Sequence, residues 1–153
     1  MSPVTPPIET VVLDSDSIQL PQNANSHLTP VVAMLQAARL LVVDDSKMMR
    51  MGISRSLRQL GVQQIEEASN GREALKRLRE ESFDLMLLDV EMPEMTGLDV
   101  LAEMQRSPQL SSLPVIVISG GQNIDDVVNC IEMGAEDYLP KPFSKVLLRA
   151  RLS

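Results

Sequence analysis

Three runs of four consecutive apolar residues constrain this chain more than any other feature: Leu40-Leu41-Val42-Val43, Leu85-Met86-Leu87-Leu88 and Val115-Ile116-Val117-Ile118. A strand with one wet face alternates apolar and polar residues. A short run that does not alternate suits a central parallel strand covered on both faces. Weaker strand patterns fall at Gln64–Ala68 and Asp137–Leu139. Between these segments the apolar period becomes helical. Met49, Ile53, Leu57 and Leu60 mark a first helix, with Ser46 as N-cap and Gly61 as stop. Asn70 caps a second, carrying Ala74, Leu75 and Leu78. Leu98, Leu101 and Ala102 mark a third, and Ile124, Val127, Val128 and Ile131 a fourth, ended by Gly134. Phe143, Val146, Leu147 and Ala150 mark a fifth, short helix close to Ser153. Strands alternating with helices predict an α/β fold, a five-stranded parallel sheet wrapped by helices.

The segment before this pattern differs in kind. Residues 1–38 hold five of the ten prolines and neither Lys nor Arg. Such a stretch buries too little apolar surface to offset its ordering entropy, which predicts a disordered or extended leader ahead of a folded domain at 39–153. Within it, Val31 to Leu35 reads as a short helix or as a segment packed on a neighbour. Aromatics are 2% of a chain that is 44% apolar, so aliphatic side chains and the ten methionines must fill the core.

Other function classes fall away on charge and composition. A net charge of −7 opposes direct binding to nucleic acid. The lone Cys130 forms no disulfide within the chain, excludes metal sites built from several thiolates, and reads as a small hydrophobe of the fourth helix. His27, the sole histidine, lies in the leader, so neither a Ser/His hydrolase nor a histidine phosphodonor is supported. No apolar run spans a membrane and no signal peptide opens the chain, so a cytoplasmic protein is expected.

In an open parallel sheet, sites form beyond the carboxyl ends of the strands. The first strand ends in Asp44-Asp45, the third in Asp89, the fourth in Ser119, and the last is followed by Lys141. Each has a bland reading alone: a solvated acidic turn, a loop cap, a helix cap, a surface lysine. Together they place three carboxylates, a hydroxyl and an ammonium along one edge. Clustered carboxylates repel and call for a cation, and Mg²⁺ suits hard oxygen donors. A carboxylate also attacks phosphorus to give an aspartyl phosphate, a transfer that requires charge neutralisation at the phosphoryl oxygens.

The segments Leu-Val-Val-Asp44-Asp45-Ser, Leu-Leu-Asp89-Val-Glu-Met92-Pro93-Glu-Met-Thr-Gly97, Ile-Ser119-Gly and Asp-Tyr138-Leu-Pro-Lys141-Pro142-Phe occur in order. They resemble the receiver domain of two-component response regulators from about Arg39 to Ser153. The resemblance implies the flavodoxin-like, doubly wound strand order with helices on both faces. It implies phosphorylation of Asp89 by a sensor histidine kinase or phosphotransfer protein. Mg²⁺ would be held by Asp45, Asp89 and the backbone carbonyl of Glu91, with Asp44 acting through water. Ser119 and Lys141 would contact the phosphoryl group, Ser119 and Tyr138 would form the switch, and the Lys141–Pro142 bond would be cis. Gly97 reads as structural. Two departures stand out: Gly120 where the family often carries Ala, and Glu91 close to the phosphoryl group, where a carboxylate bears on its hydrolysis.

A phosphohydrolase of the haloacid-dehalogenase type also uses an Asp nucleophile with Mg²⁺, but it resembles an Asp-x-Asp pattern, and here Val90 and Glu91 follow Asp89. A flavin-binding flavodoxin requires a phosphate-cradling loop after the first strand, where Asp44-Asp45 repels phosphate. The expectation is therefore a phosphoacceptor signalling domain, not a turnover enzyme. It would be a fragment whose C-terminal output domain is absent, with homodimerisation through the fourth and fifth helices as an extension.

Overall fold

The apolar runs form strands because each splits its side chains between two covered faces. The computed structural model describes residues 33–120, 124–142 and 144–152. Their order is β1 (Arg39–Val43), α1 (Lys47–Gln59), β2 (Gln64–Ala68), α2 (Gly71–Glu80), β3 (Leu85–Asp89), α3 (Gly97–Gln105), β4 (Val115–Ser119), α4 (Ile124–Glu132), β5 (Asp137–Pro140) and α5 (Lys145–Leu152). The strands make one sheet in the order β2-β1-β3-β4-β5, every pair parallel. This is the doubly wound arrangement that the resemblance implied. The leader up to residue 32, His27 within it, and Phe143 lie outside the described residues.

Two apolar cores follow from the pleat. Leu41, Val43, Met86, Leu88, Val115 and Val117 face one side, against α2, α3 and α4. Leu40, Val42, Leu87, Ile116, Ile118 and Leu139 face the other, against Ile53 and Leu57 of α1 and Leu148 of α5. Leu35 and Ala38, just ahead of β1, are partly buried against this second core. Met86, Met92 and Met104 are buried, so methionine does fill part of the interior. Among the described residues no helix is long and apolar enough to cross a membrane.

The helix boundaries obey local chemistry. Ser46 Oγ accepts from the N–H of Met49 at 3.2 Å and caps α1, and Gly61 closes it with φ of 108°, a left-handed value that glycine adopts without steric cost. Asn70 caps α2 by accepting from the N–H of Glu73 at 2.8 Å. Thr96 and Asp99 form a reciprocal capping box on α3.

Three helical faces differ from the sequence expectation. In α3 the core side chains are Val100, Leu101 and Met104, whereas Leu98 and Ala102 are only partly buried. In α4 Val127 and Cys130 are buried, while Ile124, Val128 and Ile131 are exposed. In α5 Leu148 is fully buried, whereas Val146 is 78% exposed and Ala150 is exposed. The cause is common to all three: these helices carry apolar residues on more than one face, so spacing alone does not choose which face packs.

Leu148→Ala is expected to destabilise the fold by about 2–5 kcal/mol, because it leaves a cavity under α5. Val146→Ala should stay within about 0.5 kcal/mol of the parent, as exposed substitutions do. Denaturant unfolding of both variants checks this, and equal effects would reverse the assigned face.

Candidate functional site

Sheet register brings the predicted residues together. Val43 pairs with Leu88 and Asp89 with Ile118, so Asp44, Asp89 and Ser119 lie at successive strand ends along one edge. Asp44, Asp89 and Ser119 are buried and Asp45 is exposed. Lys141 follows β5, and its backbone N–H donates to the carbonyl of Ser119 at 2.7 Å, which fixes where its side chain starts. Its ammonium reaches Asp44 Oδ2 at 3.1 Å and donates to Asp89 Oδ1 at 3.2 Å. The Lys141–Pro142 peptide is cis, as the resemblance implied.

The loops hold the carboxylates from below. Asp44 Oδ1 accepts from the N–H of Ser46 at 2.9 Å, and Asp89 Oδ1 from the N–H of Glu91 at 3.2 Å. Gly97 is structural, as expected, and for a definite reason. Its N–H donates to the carbonyl of Val90 at 2.9 Å, and a Cβ on it would lie 2.6 Å from the Asp89 carbonyl oxygen and 2.9 Å from Val90 Cα. Any side chain there displaces the backbone that carries Asp89. Gly120 is less constrained: a Cβ would lie 3.6 Å from Glu91 Oε1, an ordinary contact, so alanine fits. Tyr138 is half-buried against the core shared by α2, α3 and α4, one strand from Val117.

Electrostatics make the site strained without further charge. Burial pushes the Asp89 carboxyl up from an ordinary 3.8 to about 6, and the neighbouring charge of Asp44 adds to that rise; Lys141 only partly offsets both. Burial opposes the Lys141 ammonium, yet the charge of Asp89 and its contacts with Asp44 outweigh burial and raise its pKa above the ordinary lysine value. Asp44 Oδ2 sits at ion-pair distance from Lys141 but off the line of a hydrogen bond, so this buried oxygen lacks an aligned donor.

The donor set fits a hard divalent cation. One carboxylate oxygen each from Asp44, Asp45 and Asp89 lies within 4.8 Å of the others. Octahedral Mg²⁺ at about 2.0–2.1 Å per ligand places opposite oxygens roughly 4.2 Å apart, so oxygens this close suit one cation held directly or through its water. That Asp44 Oδ2 lacks an aligned donor despite its ion pair with Lys141 is consistent with such a ligand.

The family profile described as the response regulator receiver domain matches residues 40–153. The chain belongs to the response regulator receiver domain family. This receiver is similar to the chemotaxis protein CheY of Pseudomonas aeruginosa, with 33% identity over 114 residues, 74% of this chain and 92% of that protein. It is similar in structure to the signal receiver domain of a signal transduction histidine kinase from Syntrophus aciditrophicus, at TM-score 0.69 and 34% identity, over 76% of this chain and 87% of that one. The receiver domain of a Pseudomonas aeruginosa sensor histidine kinase, with a magnesium ion coordinated in its active site cleft, matches at TM-score 0.69 and 26% identity over 75% of this chain and 93% of that one.

One neighbouring cluster in this receiver was not singled out from sequence. Arg50 donates through Nη1 to the Asp44 backbone carbonyl at 2.7 Å and through Nε to Glu67 Oε1 at 3.1 Å. Ser54, buried in α1, donates to Glu67 Oε2 at 3.0 Å. A serine on the core-facing side of an amphipathic helix was the available signal, because a buried hydroxyl requires a partner.

The raised Asp89 pKa sets a direction for metal-free stability. Below pH 3.8 both folded and unfolded chains hold this proton and no penalty exists; between 3.8 and about 6 the unfolded chain alone ionises, and above that the full penalty is present. Asp89→Asn in chelator is therefore expected to melt higher than the parent above about pH 6, with the gap shrinking towards pH 4. Melting curves across that range check it, and a gap independent of pH would contradict the assignment.

Proposed function

We propose that Asp89 accepts a phosphoryl group from the phosphohistidine of a sensor histidine kinase or phosphotransfer protein, or from a small phosphodonor, and that the receiver thereby switches an output domain or effector. The carrying observation is the buried Asp89 at the end of central β3, with Lys141 on its Oδ1 and Asp44 beside it. In the transfer, a bond forms between an Asp89 carboxylate oxygen and phosphorus, while the phosphorus–nitrogen bond of the donor imidazole breaks. The domain assists its own phosphorylation and dephosphorylation and is not otherwise an enzyme.

Asp44, Asp45, Asp89 and the backbone carbonyl of Glu91 would hold Mg²⁺, Asp44 through water. The magnesium seen in the related kinase receiver supports this reading. When bound, the cation neutralises charge on the carboxylates and the phosphoryl oxygens. Lys141 pairs with the same oxygens from the β5 side, and the Ser119 hydroxyl donates to the group once it moves inward. That movement clears space beside β5 for the Tyr138 ring. The exposed Ile124, Val128 and Ile131 of α4, with Val146 of α5, support readout or self-association on that face. Residues 1–38 serve as a leader that phosphorylation does not require, and the protein is cytoplasmic.

Incubated with Mg²⁺ and acetyl phosphate, the chain should gain the mass of one phosphoryl group, and Asp89→Asn should not. A variant that gains it at the parent rate would refute Asp89 as acceptor. Mg²⁺ should also raise the melting temperature, by the equivalent of about 2.7 kcal/mol at a hundredfold excess over Kd, since it binds only the native state. Asp45→Ala should abolish that rise.

Beryllofluoride, a phosphoryl mimic, should perturb the aromatic signals of Tyr138, the only tyrosine. Ser119→Ala should weaken the perturbation while the mimic still binds. A silent Tyr138 at saturation would remove it from the switch.

A further inference from the structure

We propose that Arg50 is a positioning residue for the cation site, acting through the Asp44 carbonyl and anchored by Glu67 and Ser54. This inference rests on the reading of Asp44, Asp45 and Asp89 as that site.

The geometry runs from α1 to the ends of two strands. Arg50 lies one turn into α1, behind the Ser46 cap, and its backbone N–H donates to the Ser46 carbonyl at 3.0 Å. Its guanidinium is largely enclosed, with 13% of the side chain accessible. One edge of the guanidinium meets the Asp44 carbonyl at 2.7 Å and another meets Glu67 Oε1 at 3.1 Å. Glu67 stands on β2 opposite Val42 of β1, one rung before the sheet end. Its other oxygen accepts from buried Ser54 at 3.0 Å. Glu67 is thus held at both oxygens, and it holds Arg50 in turn.

The target of this chain of contacts is the peptide that joins Asp44 to Asp45. Asp44 is fixed on its amide side by donation to the Ala68 carbonyl at 3.2 Å and at its carboxylate by Ser46. Arg50 fixes its carbonyl side. Among the described residues no side-chain hydrogen bond or ion pair holds the Asp45 carboxylate, so its aim depends on the orientation of that peptide. A fixed planar cation spanning two acceptors suits the task. Lysine is a single point charge on a flexible stem and does not reproduce both contacts. If the contact served only to tie α1 to β2, it would affect stability without touching metal affinity.

The experiment uses the full chain as parent, Arg50→Lys, Glu67→Gln and Asp45→Ala. Mg²⁺ affinity is read by titration calorimetry, global stability by denaturant unfolding, and the protection of the Asp45 and Ser46 amides by hydrogen exchange in chelator. Arg50→Lys is expected to weaken Mg²⁺ binding about tenfold, the low end of the effect of removing a partner that orients a metal ligand. It should also lower protection of those two amides more than that of the β3 and β4 amides. Glu67→Gln, which keeps a hydrogen-bond acceptor but loses the charge, should shift both readouts the same way by less, and it serves where Arg50→Lys folds too poorly to measure. Parent-like Mg²⁺ affinity in the Arg50 and Glu67 variants, with stability lowered, overturns the positioning role if Asp45→Ala has lost the metal. If Asp45→Ala binds Mg²⁺ like the parent, the cation-site reading fails and this inference fails with it.

Discussion

Two buried carboxylates at neighbouring strand ends, Asp44 and Asp89, bridged by one lysine ammonium, are the interaction around which this domain is arranged. Two like charges taken out of water repel each other and lose hydration, and a single ammonium does not cancel both costs. The fold tolerates this because everything beneath is well satisfied. Each central strand buries both faces, and the strand ends are tied by backbone bonds, Asp44 to Ala68 and Val90 to Ile118. The close approach of Gly97 to the Asp89 backbone then fixes the loop that follows. A floor of this kind keeps the two carboxylates close, so their repulsion is offset by charge and not by distance, with Lys141 supplying part of that charge.

The same physics explains which parts of the structure were legible in the sequence. β1, β3 and β4 stand out because central parallel strands are apolar throughout. β2 and β5 are faint because they are edges: Gln64, Glu66 and Glu67 on one side and Asp137 on the other carry the polar side chains that blunt an exposed ladder. Their positions were readable only from the rhythm of the stronger elements. Helix starts were legible where a cap is chemical and local, as at Ser46 and Asn70. The packed faces of α3, α4 and α5 were not, because Ile124, Val128 and Val146 extend an apolar pattern onto solvent.

The site divides in the same way. Asp44, Asp45, Asp89, Ser119 and Lys141 are legible because each sits at or just beyond a strand end, and parallel strands bring those ends together whatever the detailed packing. Arg50 and Glu67 were missed because nothing in their local sequence separates them from a solvated helix face and an edge strand, and Ser54, though its place on the core-facing side of α1 signals a partner, does not say which one. Their relation spans an α1-to-β2 separation of 13 to 17 residues and emerges only when the elements dock. Sequence spacing reveals what topology aligns; it does not reveal a contact that depends on how one helix rolls over its strand.

Lys141 joins these two levels. Its ammonium is held by Asp44 and Asp89, while its backbone N–H is bonded to the carbonyl of Ser119. One residue therefore ties the charge state of the acidic cluster to the register of β4 against β5. Tyr138 stands three positions upstream on β5, the edge strand, half-buried against the core. A ligand shifts such an element only by binding its two states unequally. Under the proposed function, a phosphoryl group on Asp89 meets that condition, since it brings negative charge to Lys141 and a new acceptor within the domain of the Ser119 hydroxyl. Under the same proposal, a change confined to the exposed rim, at Asp45 for example, would alter cation binding without pulling directly on β5. On that proposal, the buried position of Asp89 is what would convert a local change in charge into a change at the α4–β5–α5 face.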